Sequence, residues 1–225
     1  MKRSDINRIL QDSQRILATR GFALPAFASW TPSDWATKST DVRGIVERGL
    51  GWDMTDFGLD HFEMQGLVLF TLRNGSRGGE QLTAAAYAEK VMIAQPEQLT
   101  PMHSHWEKTE DIINRGGGRL AIRVFNATED GQLADNAVTY VSDGQRHTVP
   151  AGHIVMLEPG ASITIPAGLY HSFWAVDAPV VIGEVSTVND DEHDNRFLEE
   201  VARFPSIEED EPPIRLLVSD YSRFL

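Results

Sequence analysis

From about His61 onward the chain is a succession of short β-type runs broken by Gly, Pro, Asn or Asp. The runs are FEMQGLVLFTLRNG, TAAAYAEKVMIAQPEQ, LAIRVFNAT, AVTYVSDGQRHTVPAG, HIVMLEPGASITIPAG and HSFWAVDAPVVIGEVSTV. Short strands with turn residues at regular intervals pack as a sandwich or a barrel. With 225 residues, 41% of them hydrophobic, the chain can bury a core without disulfides or other staples. No internal repeat or low-complexity tract interrupts the pattern.

The first twenty residues have a different period. Ile6, Ile9, Leu10, Ile16 and Leu17 lie close to one helical stripe, Ser4 is a candidate N-cap and Gly21 a candidate stop. Thr31-Pro32 reads as a cap and first turn of a second short helix, running to Glu47. The following GLGWDMTDFG reads as turn-rich. Near the end, Pro212-Pro213 should start a strand, Ile214 to Val218, at a sheet edge. The expected organisation is a helical arm over residues 1–60 and a β-barrel with a C-terminal tail over 61–225.

Charge and composition remove several function classes. The formal charge is −13, which repels phosphate backbones and anionic membranes, so no nucleic-acid partner is expected. Cysteine is absent, which excludes thiolate nucleophiles and cysteine-based zinc sites. A metal would have to sit on nitrogen and oxygen. No stretch approaches the ~20 apolar residues of a membrane span, and the charged N-terminus lacks an apolar signal core. A cytoplasmic location is the expectation.

The chemistry concentrates in two segments. In PMHSHWEKTEDIINRGGG, His103 and His105 are two apart, so on a strand they share a face, and Glu110 follows after room for a turn. In GASITIPAGLYH, a strand and a PxG turn lead to His171. Three imidazoles and a carboxylate suit Mn²⁺, Fe²⁺, Co²⁺, Ni²⁺ or Zn²⁺. A lone His is more often a hydrogen-bonded structural residue, and that reading is kept for the histidines at 61, 147, 153 and 193. Glu184 is the other outlier. In PVVIGEVSTV it shares a face with Val180 and Ile182, and a carboxylate in such a strand must reach solvent, a partner or a cavity. Near a metal it would serve as a general base.

The spacing His-x-His-x4-Glu-x6-Gly, with G-x5-P-x-G-x2-H downstream, resembles the paired motifs of the cupin superfamily, although Ala175 stands where that pattern usually has Asn. The implied fold is an all-β cupin barrel of jelly-roll type with an N-terminal helical extension. HWEKTEDIINRGGG, EVSTVNDDEHDNRF, MKRSDIN and LPAFASWTPSDW further resemble the D-lyxose ketol-isomerase family along nearly the whole chain. That resemblance implies conversion of D-lyxose to D-xylulose and of D-mannose to D-fructose. It also implies a Mn²⁺-type ion, with Co²⁺ an alternative, on His103, His105, Glu110 and His171, and a homodimer.

Aldose–ketose isomerisation moves a proton from C2 to C1. On this reading Glu184 shuttles it, Glu110 assists while ligating, and Lys108 and Lys90 polarise a sugar oxygen or balance charge. Lys90 alternates with apolar neighbours in YAEKVMI, which hints at an inward face. Asp191 and Arg196 bind hydroxyls or fix their loop by an ion pair. Trp106, Phe173 and Trp174 are candidate pocket walls. The competing readings are an Fe²⁺-dependent cupin dioxygenase and a non-catalytic sugar-binding cupin.

Overall fold

The computed structural model describes residues 1–38, 42–75, 85–191, 193–202 and 204–225. Two antiparallel sheets face each other. The strands are β1 (Gly51–Thr55), β2 (Leu67–Asn74), β3 (Tyr87–Ala94), β4 (Thr100–His105), β5 (Glu110–Gly117), β6 (Leu120–Phe125), β7 (Val138–Ser142), β8 (Gln145–Val149), β9 (Ile154–Leu157), β10 (Ser162–Ile165), β11 (Tyr170–Ala175), β12 (Val180–Thr187) and β13 (Asn195–Phe197). The larger sheet has the order β1-β2-β3-β12-β5-β10-β7-β8, and the smaller β13-β4-β11-β6-β9. This is the two-sheet β-barrel with a helical extension that the sequence pattern called for.

Side-chain alternation sorts the apolar residues of the larger sheet into two cores. Leu67 and Leu69 of β2, Met92 and Ala94 of β3, and Val180 and Ile182 of β12 point between the sheets. Their neighbours Val68, Phe70, Val91, Ile93 and Val181 point the other way. Helix α1 (Arg3–Thr19) covers that outer face through Ile6, Leu10 and Leu17, each essentially buried. A side chain of that size contributes about 1.5–3 kcal/mol when fully buried. The near-continuous apolar runs of β2 and β3 therefore reflect burial on both faces.

The start of α1 differs from expectation. The helix begins at Arg3, and Ser4 instead bonds Asp210 through its N–H (2.9 Å) and its hydroxyl (2.7 Å). Arg3, fully buried, donates to both oxygens of Asp220 (3.0 and 2.8 Å) and both of Glu209 (2.8 and 2.8 Å). Gly21 stops the helix at φ +69 as expected. Thr31 caps α2 (Pro32–Ala36) in a reciprocal box with Asp34. The second helix does not run through to Glu47: a separate α3 spans Arg43–Glu47, and residues 39–41 lie outside the described residues.

Two further expectations are corrected. The supposed turn-rich stretch contains β1, buried along its whole length, so the sheet starts before the boundary expected at residue 60. The supposed strand Ile214–Val218 makes a single bridge, Leu217 to Trp52, and passes into a 3-10 turn, Val218–Asp220, and α4 (Tyr221–Phe224). The N–H of Leu217 is taken by Asp220 Oδ2 (2.9 Å), which ends the extended run.

Candidate active site

Five strands and one loop bring the charged residues together. Along β3, β12 and β5 the inward series runs Met92, Ile182 and Ile112. Two residues further on each strand come Lys90, Glu184 and Glu110 on the same interior face. From the smaller sheet, His103 and His105 of β4 face inward, and His171 of β11 pairs directly opposite His103. All six are buried, as is Lys108 of the β4–β5 loop. They sit at a cavity of about 550 Å³, its open mouth included.

The histidines are arranged as a cation site. One ring nitrogen from each of His103, His105 and His171 lies within 4.8 Å of the others. Nδ1 of His103 is 2.8 Å from the carbonyl of Pro101, and Nδ1 of His171 is 3.1 Å from that of Leu169. A carbonyl only accepts, so Nδ1 carries the proton in both rings, and Nε2 of the neutral ring is a bare lone pair. Glu110 Oε1 stands 3.0 Å from His171 Nε2 and 3.3 Å from His105 Nε2. The His171 contact lacks hydrogen-bond geometry, so that nitrogen has no donor or acceptor partner, and neither does His105 Nδ1. Lone pairs and a carboxylate oxygen converging among buried side chains call for a positive charge between them. This donor set fits a divalent metal.

Burial pushes the His103 imidazole well below its ordinary value, and His171 and His105 push the same way. Burial also lowers His105, against the pull of Glu110. Neutral imidazoles are the ligating form. Burial would raise the Glu110 carboxyl, but Lys108 and His105 outweigh it and hold the group ionised, well below the usual carboxylate range. Burial likewise opposes the Lys108 charge, and Glu110, Glu184 and Asp191 more than offset it. Lys108 Nζ lies 2.7 Å from Glu110 Oε2 and 3.0 Å from Glu184 Oε1. Lys90 Nζ approaches the same Glu184 oxygen at 3.7 Å and donates to Asn189 Oδ1 at 2.6 Å and Asp191 Oδ1 at 3.2 Å. Glu184 is thus a buried carboxylate held between two lysines at the cavity wall.

The family model for D-lyxose isomerase matches residues 1–221. The chain belongs to the D-lyxose isomerase family. Over the full length of both chains it is 50% identical to a D-lyxose/D-mannose isomerase of Serratia proteamaculans and 47% identical to one of Escherichia coli O157:H7. A D-lyxose ketol-isomerase of Cohnella laeviribosi is 30% identical over 71% of this chain and 82% of its own. Among solved structures, the L-ribose isomerase of Acinetobacter sp. DL28 in complex with L-ribose superposes with a TM-score of 0.62 at 16% identity, covering 92% of this chain and 98% of that one. The Geodermatophilus obscurus L-ribose isomerase also gives 0.62, again at 16% identity and the same coverages. Identities this low speak to the fold alone.

Within this D-lyxose isomerase family chain, the expected site residues separate into two groups. His103, His105, Glu110, Lys108, Glu184, Lys90 and Asp191 line one cavity or, like His171, pack directly beneath it. Arg196 does not. On β13, Asn195 and Phe197 face the cavity and Arg196 alternates outward, where it lies over Trp106 (4.7 Å to the ring) and donates to the Asp130 carbonyl (3.2 Å). Of the three expected aromatic walls only Phe173 lines the cavity; Trp106 is 59% exposed and Trp174 alternates to the other face of β11.

Sequence reasoning missed Asp194. This buried carboxylate accepts the backbone N–H groups of Glu107 (2.8 Å) and Lys108 (3.0 Å), fixing the loop that delivers Lys108. The only signal was its place in the polar string NDDEHDNRF. Phe57 and Phe197 were also missed as cavity residues, because nothing in their local sequence distinguishes them from core.

Proposed function

We propose that the chain is a metal-dependent aldose–ketose isomerase that converts D-lyxose to D-xylulose and D-mannose to D-fructose. The observation that carries this reading is Glu184, held between Lys90 and Lys108 at the same cavity as the three histidines, in a chain of this family. His103, His105, His171 and Glu110 are the residues that would hold the ion, with Mn²⁺ the proposed metal and Co²⁺ an alternative of the same ligand preference. When bound, the ion supplies Lewis-acid stabilisation of negative charge on adjacent sugar oxygens.

The chain's own residues carry the proton. Glu184 takes the proton from C2 of the open-chain aldose; the C–H electron pair becomes the C1–C2 double bond and the carbonyl pair moves onto O1. The proton of the C2 hydroxyl passes to O1, and Glu184 returns its proton to C1, giving the ketose. Lys108 keeps its ammonium charge and stands beside the developing enediolate. Lys90 and Lys108 hold the Glu184 carboxylate in one place, so little reorganisation accompanies each transfer. Asp191 is assigned to sugar hydroxyls on the same reading. A cytoplasmic homodimer is the proposed working form.

The test is a panel of aldoses given to metal-stripped protein reconstituted with Mn²⁺ in D₂O, with the ketose analysed for label. Solvent deuterium at C1 is the expected result, and it is partial where the shielded carboxylate returns the original proton. No solvent label over many turnovers, with complete C2-to-C1 transfer of a substrate deuterium, would overturn the proton shuttle in favour of a hydride shift. No ketose from any aldose would overturn the isomerase reading itself.

A further inference from the structure

The cavity has two unlike sides. Its ionisable residues gather on β3, β5 and β12 and around the histidines, whereas β13 and the end of β1 contribute the rings of Phe197 and Phe57 beside Asn195 and Thr55. Phe57 follows the end of β1, the edge of the larger sheet, and Phe197 ends β13, the edge of the smaller one. Their rings meet edge to face, 5.7 Å between centroids, and close the gap between the sheets. Phe197 in turn packs 5.5 Å from the His103 ring.

Phe57 is placed there against its backbone preference. It has φ +55, the left-handed region that an aromatic L residue rarely adopts. Two hydrogen bonds hold it: its N–H donates to Thr55 Oγ1 (2.8 Å) and its carbonyl accepts from Ala202 N–H (3.0 Å); Gly58 beside it, at φ +73, lies where a Cβ would come within 2.6 Å of Ala202 Cβ. The turn keeps a strained residue so that one ring, 4% exposed, faces the cavity. Phe57 and Phe197 line the same cavity as Glu184, Lys90 and Lys108. A sugar whose C1 and C2 lie at Glu184 fills that cavity against these rings.

We propose that Phe57 and Phe197 form the end wall of the sugar site and set how long an aldose it accepts. This rests on the isomerase reading above. The rings offer no donor or acceptor to a terminal hydroxyl, so the wall they form responds to chain length. A hexose carries one CH₂OH more than a pentose towards it, and a group of that size against an apolar wall discriminates by roughly 10-fold or more.

The experiment measures kcat/KM for D-mannose and D-lyxose on the same Mn²⁺-loaded sample and takes their ratio. The ratio is independent of how much of the sample is folded or metal-loaded, so a loss of folded or loaded protein does not move it. Phe57→Leu and Phe197→Leu should each raise the mannose-to-lyxose ratio about 10-fold, and Phe57→Trp should lower it. Where turnover is too slow, calorimetric affinities for D-fructose and D-xylulose give the same ratio. Ratios within twofold of wild type in all three variants would overturn the wall. A wild-type chain that isomerises neither sugar would instead overturn the functional reading, and the wall with it.

Discussion

Two buried clusters of charge occupy this molecule, and they are built to opposite rules. Beneath α1, Arg3 spends its guanidinium on four carboxylate oxygens of Glu209 and Asp220, all at 2.8–3.0 Å. In the cavity, Lys108 divides its charge between two carboxylates, while His105 Nδ1 and His171 Nε2 have no hydrogen-bond partner. The first cluster is satisfied by the protein alone. The second is complete only with something added. Buried polar groups are nearly always paired, so incompleteness separates a site from a strut more sharply than burial or charge does.

The largest test of that contrast is to remove the groups left open. His103→Ala, His105→Ala and His171→Ala should each lose bound metal and activity together. Full metal content by elemental analysis in two of the three would show that the ion is held elsewhere. Next comes Glu184→Gln, which keeps size and hydrogen bonding but cannot take a proton. Its kcat should fall by about 10²–10⁴ with metal content and melting temperature retained; wild-type turnover would move the base to another group.

The satisfied cluster should fail differently. Arg3→Ala leaves Asp220 buried without its cation and should cost about 3 kcal/mol of stability by denaturant unfolding, the low end for a broken buried pair because Glu209 is partly exposed. The kcat of the folded fraction should not change. A smaller effect lies on the acid side. Hydrogen bonds from Arg3 hold the Glu209 carboxyl below its ordinary value, so the unfolded chain binds its proton first as pH falls. The contribution is present above the ordinary carboxylate value and is lost as pH drops through the depressed one. Arg3→Ala should flatten that acid limb in a stability-versus-pH series, and an unchanged slope would remove Glu209 from the account. Smallest of all is the exposed Arg119–Asp177 pair, where Arg119→Ala should leave the melting temperature unmoved.

The sequence made the second cluster partly legible and the first almost invisible. His103, His105, Glu110 and His171 stand out because ligand spacing is local along strands and turns. Glu184 and Lys90 could be seen because a charge interrupts an apolar alternation. Arg3 could not, since its partners lie more than 200 residues away and an Arg near a helix start reads as solvated. Asp194 was hidden for a related reason: its partners are backbone N–H groups, which leave no mark in a sequence. Strand β1 was lost among Gly, Asp and Thr residues that suggest turns, and its burial comes from α1 and β2. Arg196 was misplaced because β13 was not recognised as a strand, so the alternation that turns it outward could not be applied.

The pairing of β3 with β12 sets Lys90 opposite Glu184, with Met92 and Ile182 the next pair on the same face. A slip of β12 by one residue would turn Glu184 to the outer face and bring Val185 to the cavity side, separating Glu184 from the Lys90 that pairs with it. Such a mispaired sheet would take from Lys90 and Lys108 the buried carboxylate that stands between them. The carboxylate assigned to proton transfer therefore also ties β12 to one register of β3.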